Sequence, residues 1–349
     1  MINTFFVWDL GGTKCSAGII EHNTVSNKII CKKKTSVKLA ETTSLEDLIF
    51  KLEDNLKMRM SQANAICIGA AGLYDGETLI LEGVYPYPMR FAAIAKAQCW
   101  PHYAIIHDYA SIICSTFTNY MDSPQNVLRL NDSPIDTHGR RVAFGIGTGL
   151  GGKDGVLFPD GSFWLGRNEI GHIGVTTPPM ADQSALQRHH ELIHFLYSLE
   201  TSHHPITFEK ILSGPGTSRL HQFFYPSQGV LSPEEVGINL REGKASELLN
   251  AFAWYTGLFV GTIQLMFMPE GGIWITGGVA LNHLEIFQSP EFFAGINASP
   301  AYILQREKFP LGVLCNLEHA LIGCGYYAAN KLFKTNFQNL AQNKVEASQ

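Results

Sequence analysis

The feature that most constrains this sequence is an apolar run that stops at two adjacent glycines. In residues 5–10, bulky apolar side chains surround Asp9, and Gly11, Gly12 and Thr13 follow at once. Such a run predicts a buried strand that enters a tight turn, because glycine adopts backbone angles that other residues resist. A turn of this kind can direct several backbone N–H groups and a threonine hydroxyl at one phosphate. An ordinary glycine turn is the competing interpretation.

A second strand of this kind ends in a richer glycine turn in the other half of the chain. Five of the eight residues 145–152 are glycine, and Gly147 and Gly149 flank Thr148. Each glycine carries a cost in ordering entropy, so a simple connector does not favour so many. We therefore predict phosphate contacts at both turns and a duplicated architecture with nucleotide between its halves. A third strand-to-glycine turn ends at Gly277 and Gly278.

Between these turns, the pattern alternates strands with helices. Residues 65–70 and 103–107 form apolar runs that end near Gly72 and at Asp108. This alternation indicates an α/β domain, in which ligands lie beyond the carboxyl ends of the strands. We expect Asp9, Gly72 and Asp108 at one such edge. Further along, we expect 214–216, a Gly-Pro-Gly sequence, to break the chain after a short helix at 208–212.

Composition narrows the class of protein. A chain of 349 residues exceeds what one core usually serves, so two domains are expected. A formal charge of −5 and a pI near 6.2 leave no electrostatic footprint for nucleic acid or an anionic membrane. The seven cysteines form no CxxC pair, and the first strand begins too early to leave room for a signal peptide. Both features predict reduced thiols in a cytoplasmic protein.

One apolar segment allows two interpretations, a membrane span or a buried helix. Residues 248–268 carry no charge and are long enough to cross a bilayer, but their polar side chains and the lack of a basic flank favour a buried helix. The histidine pairs at 189–190 and 203–204 lie among polar residues without metal-ligand spacing, so we predict that they are solvated.

Taken in order, the motifs resemble the bacterial glucokinases, members of the sugar kinase, actin and heat-shock ATPase superfamily. The resemblance covers about residues 5–330. It rests on Asp9-Leu-Gly-Gly-Thr13, Asp108 at a strand end, Gly145-Ile-Gly-Thr-Gly-Leu-Gly151, Glu169-Ile-Gly-His172, Leu212-Ser-Gly-Pro-Gly216 and Thr276-Gly-Gly278. The zinc-binding cysteine cluster and the helix-turn-helix of a related repressor and kinase group are absent from the sequence, which favours the zinc-free branch.

The resemblance implies an α/β fold of two actin-like (ribonuclease H-like) lobes with an interlobe cleft. Residues 1–115 are the expected smaller lobe and 116–349 the larger one. The C-terminal helix is a candidate to return to the smaller lobe, and we expect residues 334–349 to be frayed. The implied activity is ATP-dependent phosphorylation of a hexose, D-glucose to glucose 6-phosphate in the first instance, without a nucleic-acid or membrane partner. A homodimer is compatible with it.

The resemblance also assigns roles to individual residues. A sugar hydroxyl is a poor nucleophile, and Asp108 matches the base that accepts its proton. A cap for a helix that starts near Tyr109 is the structural alternative for Asp108. The implied sugar contacts are His107, Asp108, Glu169, His172 and Glu209. The implied nucleotide contacts are Trp8, Asp9, Leu10, Gly11, Gly12, Thr13, Gly147, Thr148, Gly149, Gly277 and Gly278, with Asp9 holding Mg²⁺ through water.

The chain departs from the family in two places. His107 stands where the family has Asn before the catalytic Asp, and residues 81–88 replace a Thr-Asn loop with a following Trp that touches the sugar. Asn offers an acceptor and a donor together, which one imidazole does not reproduce in the same geometry. A kinase for another hexose or an amino sugar, and a catalytically weak sugar-binding or regulatory protein, are therefore the alternatives.

Overall fold

The computed structural model describes residues 1–81, 85, 87–177, 183–200, 204–298 and 301–333, so part of the 81–88 loop and all of 334–349 lie outside it. Its strands are β1 (Ile2–Leu10), β2 (Lys14–Asn23), β3 (Lys28–Lys38), β4 (Ala65–Ala70), β5 (Gly72–Tyr74), β6 (Leu79–Leu81), β7 (His102–His107), β8 (Val127–Arg129), β9 (Arg141–Ile146), β10 (Leu150–Leu157), β11 (Phe163–Leu165), β12 (Gly272–Thr276) and β13 (Leu311–Leu314). Its α-helices are α1 (Leu45–Leu56), α2 (Phe91–Ala97), α3 (Asp108–Ser115), α4 (Gln183–Leu199), α5 (Gly214–Phe224), α6 (Pro233–Arg241), α7 (Ser246–Phe267), α8 (Gly278–Asn282), α9 (Pro290–Ile296), α10 (Ile303–Arg306) and α11 (His319–Tyr327).

The chain forms two compact units. The first contains Met1–Val127 together with 316–333, and the second contains Leu128–Cys315. Helix α11 thus belongs to the first unit although it lies at the far end of the sequence.

The main sheets of the two units repeat one arrangement. The first sheet has the order β3-β2-β1-β4-β7, in which β1 to β3 are antiparallel and β4 and β7 are parallel to β1. The second has the order β11-β10-β9-β12-β13-β8, in which β9 to β11 are antiparallel and β12 and β13 are parallel to β9. The β1–β2 turn therefore corresponds to the β9–β10 turn, as the recurrent glycine motif predicts.

The core of the first unit follows from the alternation of side chains along β1. Phe6, Trp8 and Leu10 lie in one cluster with the buried leucines of α1. These leucines fall on one helical face, and Ser44 caps α1 by accepting a hydrogen bond from the Asp47 amide. On α11, a Cβ added at Gly323 would lie 1.7 Å from the Ser111 carbonyl oxygen, so α11 crosses α3 at a separation that only glycine allows.

The core of the second unit is built around α7. Over the described residues, this helix is long and apolar enough to cross a bilayer, yet most of its apolar stretch is buried inside the unit. Phe259 on α7 packs edge-on against Phe144 of β9 at 5.1 Å between ring centroids. A Cβ added at Gly257 would lie 1.9 Å from the Phe292 carbonyl oxygen, so α9 approaches α7 closely. The interpretation of this segment as a buried helix is confirmed.

Two local predictions are wrong. The Gly-Pro-Gly sequence at 214–216 does not break the chain but opens α5, because Pro is tolerated in the first helical turn and Ser213 caps the helix through the Gly216 amide. The predicted helix at 208–212 is only a short 3₁₀ turn, Phe208–Lys210.

The histidine at 189 is also not solvated. His189 is 3% exposed, and its Nδ1 lies 2.7 Å from the Tyr255 hydroxyl of α7. Burial, and secondarily the neighbouring His190, lower the pKa of His189. The polar residues beside His189 in sequence are exposed on the other faces of α4, so the local composition does not indicate that His189 is buried.

Candidate active site

The carboxyl ends of three parallel strands meet at one edge of the first unit. Leu10 of β1 pairs with Ala70 of β4, and Ala70 pairs with His107 of β7. The amide of Ala71 then donates to the Leu10 carbonyl oxygen at 3.1 Å, which keeps the chain after β4 at the same edge. As predicted, this register gathers Asp9, Gly72 and Asp108 at the ligand-binding edge of an α/β sheet.

Asp9 and Asp108 interact electrostatically. Burial, and after it the negative charge of Asp108, raise the pKa of Asp9 from 3.8 to about 6, while the Lys14 ammonium opposes the shift. A buried carboxylate whose ionised form is opposed by a neighbouring negative charge is a place where a cation is favourable. Within the described residues, no group of three or more His, Cys, Asp or Glu side chains could hold a metal by itself.

His107 and Asp108 form a pair at the start of α3. His107 Nδ1 lies 2.8 Å from Asp108 Oδ1, while the Tyr109 amide lies 2.8 Å from the same oxygen and 3.3 Å from Nδ1. A short contact to a carboxylate requires a proton on Nδ1, so we assign the Tyr109 amide to Asp108. Asp108 is oriented by His107 and accepts from the Tyr109 amide. The helix starts at Asp108 itself with His107 as its N-cap residue, so Asp108 is the first helical residue and not the cap that the structural alternative expected.

The first glycine turn joins β1 to β2. The Gly11 amide donates to the Lys14 carbonyl oxygen at 3.0 Å, and Thr13 is exposed. The side chains of Trp8 and Leu10 are fully buried in the core of the first unit, which leaves only their backbone atoms for any contact with a nucleotide.

The second glycine turn is fixed by two outside contacts. The Gly214 amide at the start of α5 donates to the Gly147 carbonyl oxygen at 2.7 Å. The Leu150 amide donates to Glu209 Oε2 at 2.8 Å, and a Cβ added at Gly149 would lie 2.7 Å from that same oxygen. Glu209 therefore supports the turn directly, in addition to any contact with a sugar.

A cavity of about 620 Å³ opens beside this turn within the second unit. Its walls come from the β9–β10 turn, the first turns of α5 and α8, helix α6 and the residue after α8: Gly147, Thr148, Gly214, Pro215, Thr217, Pro233, Glu234, Gly237, Ile238, Leu240, Arg241, Gly278, Val279, Asn282 and His283. The volume suits a small organic ligand, and the first turn of α5 directs the positive end of its dipole toward the turn.

Most of the residues that line this cavity were not predicted from the sequence as ligand contacts. The Ser232 capping box with Glu235 does indicate where α6 starts. No local pattern indicates that α6 returns to the β9–β10 turn, because this depends on how α5 and α6 pack together.

Gly277 and Gly278 play different parts in the third glycine turn. Gly277 has φ of +98°, and a Cβ there would lie 2.4 Å from the Ile146 carbonyl oxygen. A Cβ at Gly278 would meet nothing within 4 Å, and Gly278 lines the cavity. The first glycine is therefore required by the fold, and the second leaves room for a ligand.

The proposed sugar residues of the second unit lie together around Leu150. Glu169 and His172 are exposed on a short turn, Ile170–His172, whose Ile170 is buried. A Cβ added at Gly171 would lie 1.8 Å from the Leu150 carbonyl oxygen, so this turn rests on the start of β10. Glu209 binds the amide of the same Leu150. A backbone hydrogen bond joins the turn after Glu169 to the segment that carries Glu209: the Phe208 amide donates to the Ile173 carbonyl oxygen at 3.0 Å.

The repeated sheet with a glycine turn in each half defines the two-lobed fold of the sugar kinase, actin and heat-shock ATPase superfamily. The sequence model of the glucokinase family matches residues 6–331, and the chain belongs to that family. It is a sugar kinase, an enzyme that transfers a phosphoryl group to a hexose.

Individual comparisons agree with this assignment. The chain is 22% identical over 327 residues to the glucokinase of Saccharophagus degradans. The aligned region covers 91% of this chain and 96% of the relative. The crystal structure of a glucokinase from an Antarctic psychrotroph has a TM-score of 0.77 at 19% identity, covering 94% of this chain and 99% of the other. A glucokinase of the ROK family from Streptomyces griseus, solved in complex with glucose and AMPPNP, has a TM-score of 0.56 at 16% identity, covering 93% and 97%.

Proposed function

We propose that this enzyme converts D-glucose to glucose 6-phosphate and that Asp108 is the general base. The observation that carries the proposal is the position of Asp108 at the carboxyl end of β7, beside Asp9, with its carboxylate oriented by His107. Asp108 accepts the proton of the sugar hydroxyl as the hydroxyl oxygen bonds to the γ-phosphorus and the bond from that phosphorus to ADP breaks. Glu169, His172 and Glu209 bind the other hydroxyls of the sugar.

ATP is proposed to occupy the cavity of the second unit. Gly147, Thr148 and Gly149 supply backbone groups for phosphate, and the open side of Gly278 accommodates the nucleoside. Gly11, Gly12 and Thr13 are proposed as a second phosphate contact. The complex of the Streptomyces relative with AMPPNP supports ATP as the donor.

Asp9 is the proposed residue for Mg²⁺, held through water. The residues fit the ion, because Asp9 is a carboxylate whose ionisation is opposed by burial and by Asp108, and a divalent cation favours that ionised form. When bound, Mg²⁺ neutralises charge on the phosphates of ATP. A cytoplasmic location fits the seven free thiols. A homodimer is a separate proposal, which light scattering on the purified protein tests.

The experiment that tests the function is an assay of ADP release over a panel of glucose, mannose, galactose and N-acetylglucosamine. We expect turnover with glucose. Turnover with only another member of the panel would support the alternative of a kinase for a different hexose or an amino sugar, which the unusual His107 favours. Absence of turnover combined with measurable sugar binding would support a sugar-binding protein.

Replacement of His107 by the family residue is expected to sharpen the preference for glucose. The Nδ1 atom of His107 is engaged with Asp108, so the ring offers the sugar one nitrogen where Asn offers both a donor and an acceptor. An unmade hydrogen bond costs on the order of 1–3 kcal/mol, so His107→Asn should raise kcat/KM for glucose relative to its epimers about ten- to a hundredfold. Asn is also a strong N-cap, which preserves the start of α3.

Kinetics of the parent, His107→Asn and His107→Ala on the sugar panel measure this effect. A parent that already prefers glucose strongly, combined with a weaker preference in His107→Asn, contradicts the expectation and makes His107 an adapted contact to glucose.

Replacement of Asp9 by Asn is expected to raise the thermal stability and to weaken the use of MgATP. The folded-state pKa of Asp9 is raised to about 6 from 3.8, so its stabilising contribution is full below the lower value and is lost as the pH rises through the upper one. Asp9→Asn should therefore raise Tm at about pH 8, and the gain should shrink as the pH falls below about 6 and disappear below about 4. Loss of the Mg²⁺ site should raise KM for MgATP by about tenfold or more.

Thermal melts across this pH range, with MgATP kinetics at the upper end, provide the measurement. Asp75→Asn is the matched control, because Asp75 is exposed and backbone amides of Thr78 and Glu77 lower its pKa. It should give no gain in Tm. A pH-independent gain for Asp9→Asn would show that its ionisation is not the cause.

A further inference from the structure

The proposed reaction leaves one buried carboxylate of the second unit without a role. The side chain of Asp154 on β10 is 3% exposed. A buried carboxylate is costly unless donors surround it. Asn168 Nδ2 donates to its Oδ1 at 2.6 Å, and Arg140 Nε lies 3.6 Å from its Oδ2. The proposed reaction does not explain why this carboxylate is buried.

Asp154 holds the segment that leads directly into Glu169. The Gly166 amide donates to the Asp154 carbonyl oxygen at 2.9 Å, and a Cβ added at Gly166 would lie 1.7 Å from Asp154 Oδ1. The neighbouring Lys153 Nζ donates to the Gly166 carbonyl oxygen at 3.2 Å. The segment is thus fastened to β10 through its backbone at Gly166 and through a side chain at Asn168.

Among the described residues, Asn168 makes its side-chain hydrogen bond to the Asp154 carboxylate. Its Oδ1 is buried and has no hydrogen-bond partner among the described residues, so the Asn168 side chain is held only through its amide nitrogen. Loss of the Asp154 acceptor would leave the residue before Glu169 without any side-chain hydrogen bond.

On the far side of Glu169, a second anchor is independent of Asp154. Ile170 is 2% exposed, and the close contact of Gly171 with the Leu150 carbonyl oxygen fixes the following turn. The exposed Glu169 lies between these two anchors, of which only the first involves a charged group. The backbone position from which its carboxylate extends therefore depends on Asp154 through Asn168.

We infer that Asp154 is a positioning residue for hexose binding, acting through Asn168 on the carboxylate of Glu169. This inference rests on the proposed role of Glu169 as a sugar contact. Asp154 sets affinity for the sugar, whereas the nucleotide cavity and Asp108 are held by other residues. A displaced Glu169 carboxylate would make poorer hydrogen bonds to the sugar, which lowers the affinity for it.

The test compares Asp154→Ala, Asn168→Ala and the double variant. For Asp154→Ala we expect KM for the hexose to rise about tenfold, with kcat and KM for ATP within about twofold of the parent. Because the two residues act in series, the double variant should show the same KM as either single variant. Asp154→Asn, which keeps an oxygen toward Asn168, should restore most of the affinity. Calorimetric titration of the hexose without ATP gives a readout independent of turnover.

The control is Asp160→Asn, which alters an exposed carboxylate at the tip of the β10–β11 hairpin and should leave all constants unchanged. A lower Tm with a parental hexose KM in Asp154→Ala would overturn the inference, and so would an equal rise in both KM values. If Asp154→Ala does not fold, Asp154→Asn and Asn168→Ala decide the matter on the same constants. A parent without turnover or binding of any hexose would instead overturn the proposed function.

Discussion

Asp108→Asn is expected to lower kcat by about a hundredfold or more, the usual scale for losing a positioned general base. Asn keeps an oxygen for the Tyr109 amide, so α3 should still start at this residue. It does not accept a proton at neutral pH, so the sugar oxygen must attack without assistance. Hexose and ATP affinities should remain within a few-fold of the parent, since the substitution preserves shape and removes one charge. Steady-state kinetics and calorimetry on the same preparation measure both quantities.

The loss of charge has a second consequence, which serves as an internal check. The negative charge of Asp108 is one cause of the raised pKa of Asp9. In Asp108→Asn, Asp9 should therefore ionise at lower pH than in the parent. Ser111→Ala is a matched control on the same helix, because the Ser111 hydroxyl donates only to the Asp108 backbone carbonyl oxygen. Undiminished turnover in Asp108→Asn would assign the base to another residue.

Gly277→Ala is expected to destabilise the second unit by about 3 kcal/mol or more, while Gly278→Ala should leave it folded. At Gly277, φ of +98° and ψ of +151° fall in a region that is nearly restricted to glycine, and the added Cβ would approach the Ile146 backbone to 2.4 Å. Both the backbone strain and the steric conflict oppose the folded state. Chemical denaturation of the two variants and the parent gives the comparison.

The neighbouring substitution separates fold from function. A methyl group at Gly278 meets no protein atom within 4 Å but enters the cavity proposed for ATP. Gly278→Ala should therefore keep the parental unfolding midpoint and raise KM for ATP several-fold, with KM for the hexose unchanged. Equal stability of the two variants would show that the third glycine turn is not strained. An unchanged KM for ATP in Gly278→Ala would place the nucleotide elsewhere.

Local patterns predicted the elements of the fold well where one period dominates. The leucines of α1 and the capping Ser44 are visible as a helical face with its cap, and the structure places them so. At Gly214 and Pro215 the same reasoning misled, because Gly and Pro break most chains but also suit the first turn of a capped helix. His189 was missed for a different reason, since its burial depends on Tyr255 of α7, 66 residues away.

The sequence by itself determined the two glycine turns, Asp108 at a strand end and the family, because each motif is carried by residues adjacent in the chain. Only the tertiary structure decided which groups support them. Glu209 accepts a hydrogen bond from the Leu150 amide, 59 residues away in the sequence, and Asp154 accepts one from Asn168, 14 residues away. The cavity beside Gly147 likewise exists only where α5, α6 and α8 come together. Such contacts are formed by packing between distant elements, which the pattern of neighbouring residues does not encode.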